Sequence, residues 1–415
     1  MIFNFPPLIQ AGIATGKYAQ VFNSAGVPIG IARDAVTGKF VSHAVGMSIN
    51  PLISPVSPIL NGMQMYQTHR GFQAIQSSLG VLQASTAVIG VGTAVGVGLA
   101  AVNLWQTLKL RKEVKQLGLE VKDGFLDLKA ALKSQGKEVI QHIDCVAEDL
   151  KFQQHRLELI KAYGRFVEAT RLIKTAVRFQ DASSRQIEFA NARQTLAEAA
   201  ANYNNPDLLS EVCAAGRIRR LECAWGIEQA IILTYQLQNE LNAVSDRLME
   251  LQERIRQECL QVIESCDSPD ELDFLFPEIS CICDRDLLVL NTWQNQADYI
   301  KSLPASELEP LALPQSNTAQ NNQVVGEVVV VEKPIELTQY EELQEKSHYL
   351  SLVDQLKFKV SPDLRRQHEI YVGDRATGSG HNTLARNITV TSDLSLANLY
   401  WYFQAKEERK LELVS

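Results

Sequence analysis

Three cysteines lie close enough in the sequence to suggest a metal site. Cys281 and Cys283 form a CxC pair, and Cys266 lies fifteen residues before the first of them. Thiolates bind zinc well, but the CxxC pairs that usually supply them are absent, and seven cysteines are an odd number. The alternative, buried thiols in a core, is the interpretation we favour. We therefore predict neither a metal nor a cofactor.

A second group with reactive residue types is His142, Asp144 and Cys145. A nucleophile and its base must converge in space, and side chains two or three positions apart on a helix do not face each other. The histidines also lack the i, i+4 spacing with acidic neighbours of a helical metal site. The sequence therefore predicts no catalytic residue here.

The segment RATGSGHN, residues 375–382, is the best candidate for binding an anion. Arg375 precedes Gly378 and Gly380, whose backbone N–H groups can form a nest, and His381 follows them. No lysine and no strong helix follow, so a plain hairpin loop is the favoured interpretation. If the protein is an enzyme, we expect its site in this region.

A long uncharged segment dominates the first quarter of the chain. Residues 71–108 are 38 positions without Asp, Glu, Lys or Arg, and TAVIGVGTAVGVGLAAVNLW, residues 86–105, is almost wholly apolar. A helix rises about 1.5 Å per residue, so this stretch would match the roughly 30 Å hydrocarbon core of a bilayer. Its glycines lack the GK[ST] signature of a phosphate-binding loop. We predict a membrane segment rather than a nucleotide site.

Small residues and flanking charges strengthen this prediction. Gly92, Gly96 and Ala100 recur at four-residue spacing, which lets helices approach closely in lipid. The residues predicted to take part in insertion are Gly90, Gly92, Gly96, Gly98, Ala100 and Trp105, the last as an interfacial aromatic. Four basic residues follow, and by the positive-inside rule they place the C-terminal side in the cytoplasm: Lys109, Arg111, Lys112 and Lys115.

The alternative is that this segment is the central, fully buried helix of a soluble bundle. Five glycines, at positions 80, 90, 92, 96 and 98, weaken a helix in water. We favour membrane contact for that reason.

The elements around this segment are predicted to be mainly helical. Residues 18–45 indicate a small β-hairpin, with turn signals at 24–26 and 37–38, and prolines mark an extended connector before residue 71. Beyond Lys109 the apolar spacing is that of a coiled coil or helical hairpin. We predict further helices over residues 154–203, over 207–265 with Asp207 as N-cap, and over 284–303, the last folding back on its predecessor.

The last ninety residues differ in pattern. VVGEVVVVEKPIEL indicates a strand, residues 338–357 a helix, and EIYVGD and RNITVTSD two further strands. The fold class predicted is therefore mainly α: an elongated helical bundle or coiled coil with an apolar Gly-rich helix, a small N-terminal β-hairpin and a small C-terminal α+β module. The predicted divisions are residues 1–70, 71–108, 109–303, a linker at 304–323, and 324–415.

Charge excludes one class of partner. The net charge is -8, and residues 1–105 carry four basic residues and one acidic residue, so the remaining 310 carry -11. Neutralising phosphates requires clustered Lys and Arg on a basic surface, so no nucleic-acid partner is predicted.

The uncharged segment 71–108, followed by long amphipathic helices, resembles the architecture of α-helical pore-forming proteins of the haemolysin E and tripartite enterotoxin type. Such proteins hide an apolar segment in a soluble form and then insert it and oligomerise. The resemblance covers residues 71–108, 109–203 and 207–265, and this chain differs in placing the apolar segment before the long helices. AVIGVGTAVGVGLAAV also looks like the composition of viral fusion peptides.

Together these features predict a non-enzymatic protein that inserts in or docks on membrane lipid and self-assembles, or binds a helical partner, through its long helices. MIFNFPPLIQ lacks the basic region of a secretory signal, so we expect synthesis in the cytoplasm, with residues 109–415 on the cytoplasmic side. The alternatives are a soluble coiled-coil scaffold or adaptor with a buried apolar helix, and an enzyme with its site in the C-terminal module.

Overall fold

A computed structural model describes nine stretches of the chain. They are residues 2–5, 7–23, 26–44, 46–48, 121–122, 125–126, 150–207, 214–304 and 335–412. Most of these residues are helical, which confirms the mainly α prediction.

The N-terminal residues form two small antiparallel sheets beside one short helix. The elements are β1 (Ile2–Asn4), α1 (Pro7–Ala14), β2 (Tyr18–Phe22), β3 (Pro28–Asp34), β4 (Phe40–His43) and β5 (Gly46–Ser48). Strands β2, β3 and β4 form a meander, and β5 pairs with β1. The predicted hairpin is confirmed and is extended by a third strand, and its two connections lie at the predicted turn signals.

The pattern over residues 154–203 corresponds to two helices rather than one. They are α2 (Leu150–Arg178) and α3 (Ala182–Asn204). The Asp181 carboxylate accepts a 2.6 Å hydrogen bond from the Ser184 N–H and so starts the second helix, which lowers the pKa of this carboxyl. The predicted end is confirmed, because Asn205 caps α3.

The single helix predicted over residues 207–265 is wrong. The described part forms two helices, α4 (Ala214–Leu237) and α5 (Leu241–Glu264). Asn239, between them, has φ 62°, in the left-handed region that asparagine tolerates and that interrupts a helix. The two helices then run antiparallel, because Glu228 bonds Arg247 whereas Trp225 bonds Glu258. Residues 208–213, where the helix capped by Asp207 was expected to begin, lie outside the described residues.

The chain then folds back on α5, as predicted. Helix α6 (Pro269–Cys281) continues through a π-helical turn (Ile282–Asp286) into α7 (Leu287–Ser302). Gln252 of α5 donates a 2.8 Å hydrogen bond to Gln294 of α7. Trp293 is fully buried in the main core, to which helices α2 to α7 contribute together with the C-terminal helices described below.

In the C-terminal module, the two strands predicted at EIYVGD and RNITVTSD are wrong, because most of the described residues beyond 334 are helical. They form α8 (Ile335–Gln344), α9 (Tyr349–Val360), α10 (Pro362–Gly378), α11 (Asn382–Asn387), a 3₁₀ turn (Ile388–Val390) and α12 (Asp393–Glu412). EIYVGD lies inside α10, where Val372 and Ala376, four residues apart, form the buried stripe. Arg365 and Glu369 add an i, i+4 ion pair that a strand does not offer. Ser392 of RNITVTSD caps α12 by accepting from the Ser395 N–H.

The C-terminal helices are joined to the rest of the protein. Leu352 and Leu356 of α9 belong to the main core, and Tyr340 of α8 packs on Phe276 of α6. The predicted linker at 304–323, apart from Pro304, lies outside the described residues. So do residues 324–334 of the strand predicted at VVGEVVVVEKPIEL, whereas its last three residues, 335–337, begin helix α8.

The predicted helical seam after Lys109 is largely outside the described residues. Its described part is two short strands, β6 (Val121–Lys122) and β7 (Phe125–Leu126), paired antiparallel. Helix is therefore the wrong prediction at these four positions.

Candidate functional site

The N-terminal sheet is fixed to helix α7 by a buried hydrogen bond. Gln296, 2% exposed, donates from Nε2 to the carbonyl oxygen of Ile29 at 2.6 Å. Asn23 Nδ2 donates to Asn295 Oδ1 at 3.4 Å beside it. A buried donor left unpaired costs about 1–3 kcal/mol, so these contacts resist separation of the sheet from the helix.

Apolar contacts complete this attachment. Val21, Ile29 and Ile31 form a buried cluster against which Tyr299 of α7 packs. At Gly30 the backbone has φ +74°, and a Cβ there would lie 2.8 Å from the Phe3 ring and 3.1 Å from Gln296 Nε2. Only glycine, which has no side chain, lets the Phe3 ring and Gln296 come this close without being displaced. We name this contact the sheet–helix junction, formed by Val21, Ile29, Gly30 and Ile31 with Gln296 and Tyr299.

The junction connects two parts of the chain that are far apart in sequence. Ile29 and Gln296 are 267 positions apart. Helix α2, which starts at Leu150, belongs to the same core as α7 through Ala169, Ile173 and Trp293. Segment 71–108 lies in sequence between the N-terminal strands, the last of which ends at Ser48, and helix α2, which begins at Leu150.

The predicted membrane segment 71–108 lies outside the described residues. So do its residues Gly90, Gly92, Gly96, Gly98, Ala100 and Trp105, and the basic residues Lys109, Arg111, Lys112 and Lys115. Among the helices that are described, none is both long and apolar enough to cross a bilayer.

The residues of the predicted anion loop lie in the last turn of α10 and in the short connection to α11. Arg375 lies in the last turn of α10, 2.8 Å from the Glu407 carboxylate of α12 and over the Tyr371 ring. Gly378 ends α10, Gly380 follows it, and His381 precedes α11. The guanidinium group is thus bound to a carboxylate within the protein, instead of facing a glycine nest in a hairpin loop.

A buried carboxylate connects the three longest C-terminal helices. Asp354 of α9, 4% exposed, accepts a 2.8 Å hydrogen bond from Trp401 Nε1 of α12 and lies 3.6 Å from Lys357 Nζ. His368 of α10 places Nε2 3.9 Å from the same carboxylate, and its Nδ1 lies 2.9 Å from the Leu364 carbonyl. Since these polar groups face each other, we assign the cluster a structural role.

The thiols of three described cysteines are desolvated rather than activated. Desolvation raises the pKa of Cys266 to about 11 and that of Cys283 to about 12, and it raises the pKa of Cys259 well above its usual value. A thiolate is the reactive and metal-binding form, and these shifts disfavour it. Across the described stretches, no group of three or more His, Cys, Asp or Glu side chains is placed to hold a metal ion.

Sequence reasoning missed the sheet–helix junction. Gly30 within the pattern PIGIARD carried a signal, because a glycine inside a strand often marks a close approach of another element. Gln296 carried none, since a polar residue on a helix is usually exposed.

Comparisons with protein-family models, with curated proteins and with solved structures found no match to this chain.

Proposed function

We propose that this protein docks on a membrane through the uncharged segment 71–108, which a folded helical body carries by both of its ends. The observation that carries the proposal is the run of 38 positions without an ionisable Asp, Glu, Lys or Arg side chain. Transfer of apolar surface out of water is favourable by about 25 cal/mol per Å², so such a run gains by entering lipid. The four basic residues after it suit the headgroup region.

The attachment of both flanks restricts how the segment meets the bilayer. Residues 2–48 are held to helix α7 at the sheet–helix junction, and α2 shares a core with α7. A single crossing would put these two flanks on opposite sides of the membrane and would require the junction to open. We therefore propose that the segment enters and leaves on the same face.

The length of the segment allows such a path. As a helix, 38 residues would measure about 57 Å, close to twice the roughly 30 Å hydrocarbon core. Under the positive-inside rule the shared face is the cytoplasmic one, so residues 2–48 lie there together with the helical body. Self-association through the row of Gly92, Gly96 and Ala100 is part of the proposal, since small residues permit close helix packing in lipid.

Flotation with vesicles tests the proposal. The wild type is expected to float with the vesicles, and Gly92→Asp with Gly96→Asp is expected to stay in the lower, vesicle-free fraction, because an acidic residue in the hydrocarbon core costs up to about 2.5–3.5 kcal/mol. The matched control is Gly164→Asp with Gly373→Asp, which adds the same charge at helix positions where no atom lies within 4 Å of the new Cβ.

The control is expected to float like the wild type. If wild type and the Gly92/Gly96 variant float equally, or if neither floats, the proposal is wrong. Wild type that stays in solution without detergent would support the alternative, a soluble scaffold whose helices bind partner helices.

A further inference from the structure

One end of the N-terminal meander gathers three exposed cations. Arg33 lies near the end of β3, and the Asp34 N–H donates to the Lys39 carbonyl oxygen at 2.8 Å. The Ala35 N–H donates to the Lys17 carbonyl oxygen at 3.0 Å, which brings the start of β2 to the same place. We name this end the basic turn, formed by Lys17, residues 33–37 and Lys39.

An apolar side chain lies at the apex of the basic turn. Val36 is 93% exposed. The turn is held by Asp34, whose Oδ1 accepts from the N–H groups of Val36 at 3.0 Å and Thr37 at 2.8 Å and from the Thr37 hydroxyl at 3.0 Å. These bonds lower the pKa of the Asp34 carboxyl, and Lys17 adds to the effect. The conformation that exposes Val36 is therefore fixed by the residues around it.

The charges of the turn are unbalanced. Asp34 is the single acidic residue among the first 105 positions, so the turn carries three cations against one anion. The rest of the protein has a net negative charge. A basic patch on such a protein suits a negatively charged partner.

We propose that the basic turn docks on an anionic lipid surface, with the three cations facing headgroup phosphates and Val36 entering the interface. This inference rests on the proposed function, because it assigns a second contact with the same membrane. Lipid is favoured by the combination of charge with one protruding apolar side chain, and by the sequence, in which 22 residues separate β5 from the uncharged segment. The two membrane contacts strengthen each other, because once one of them has bound, the other is held close to the same membrane.

Each basic residue near an anionic surface strengthens binding by about fivefold, and salt screens the effect. The test compares full-length chains on vesicles of zwitterionic lipid and on vesicles containing about 30% phosphatidylserine. Lys17→Gln, Arg33→Gln and Lys39→Gln together are expected to lower the partition coefficient on anionic vesicles by up to about 100-fold. Binding to zwitterionic vesicles is expected to stay as in wild type. Circular dichroism and the melting temperature check that the exposed substitutions leave the fold intact.

The matched control removes three exposed cations elsewhere, with Lys161→Gln, Arg171→Gln and Arg178→Gln on helix α2. It is expected to bind both kinds of vesicle like the wild type. If the Lys17/Arg33/Lys39 variant keeps the full preference for anionic vesicles, the basic turn is not the contact and the cations at 109–115 are. Equal wild-type binding to both vesicles would overturn this inference alone, whereas binding to neither would overturn the proposed function.

Discussion

Replacing Trp293 by alanine is expected to lower the free energy of unfolding by about 3–5 kcal/mol, the range for large-to-alanine changes in a core. The indole is fully buried in the main core, and its Nε1 donates to the Oε1 of Gln236, which is itself 1% exposed. The substitution removes the packing and leaves a buried acceptor without its donor. Urea denaturation followed by circular dichroism measures the change.

Two companion variants separate these causes. Trp293→Phe keeps a ring but removes the donor, and we expect a smaller loss of about 1–3 kcal/mol. Asp298→Ala, at an exposed position of the same helix, is expected to change stability by less than about 0.5 kcal/mol. A Trp293→Ala loss below about 1 kcal/mol would contradict the placement of this side chain in the main core.

Gly30→Val is expected to destabilise the N-terminal sheet by about 2–4 kcal/mol. A β-branched residue is strained at φ +74°, and its Cβ would lie 2.8 Å from the Phe3 ring and 3.1 Å from Gln296 Nε2. The sheet–helix junction should therefore open before the helical core unfolds. Limited proteolysis measures this, with faster cleavage expected within residues 2–48 and unchanged cleavage of helices α4 and α5.

Gly26→Val is the matched control, because Gly26 has a similar φ of +74° but nothing within 4 Å of a Cβ. The difference between the two variants reports the packing at the junction without the backbone strain. Equal proteolysis of the two chains would show that Phe3 and Gln296 do not enclose Gly30 as described.

The sequence predicts best those helices in which apolar residues recur without interruption every three or four positions. In α5, residues Val244, Leu248, Leu251 and Ile255 are apolar at spacings of three and four, and all are buried. The reversal at Asn239 was missed because the apolar pattern continues on both sides of it, so periodicity alone cannot show where two antiparallel helices meet. A single left-handed residue decides that.

The strand predicted at EIYVGD was wrong for a different reason. EIYVGD is rich in residues that favour strands, but the helix is decided by tertiary packing, with Val372 and Ala376 buried and Ile370 more than half exposed. Intrinsic preference is a weak guide when a buried stripe at helical spacing is available.

The candidate site was predictable only in part. The uncharged segment 71–108 is evident from composition, because the absence of charge over 38 positions needs no structure to be seen. The packing of the N-terminal sheet on helix α7 was not predictable, since it depends on Gln296 reaching the Ile29 carbonyl across 267 positions. The function of the Asp34 carboxylate in shaping the basic turn was equally hidden, although Thr37 and Gly38 marked a turn.

Labelling of vesicle-bound protein with a membrane-impermeant maleimide tests the central claim most directly. In a chain whose seven native cysteines are replaced by alanine, Leu8→Cys and Arg171→Cys each place a single thiol at an exposed position on one of the two flanks, and Gly96→Cys places one within the uncharged segment. We predict that both flank positions react on intact vesicles and that the position in the segment reacts only after detergent is added. Protection of one flank alone, or reaction at position 96 on intact vesicles, would contradict the account.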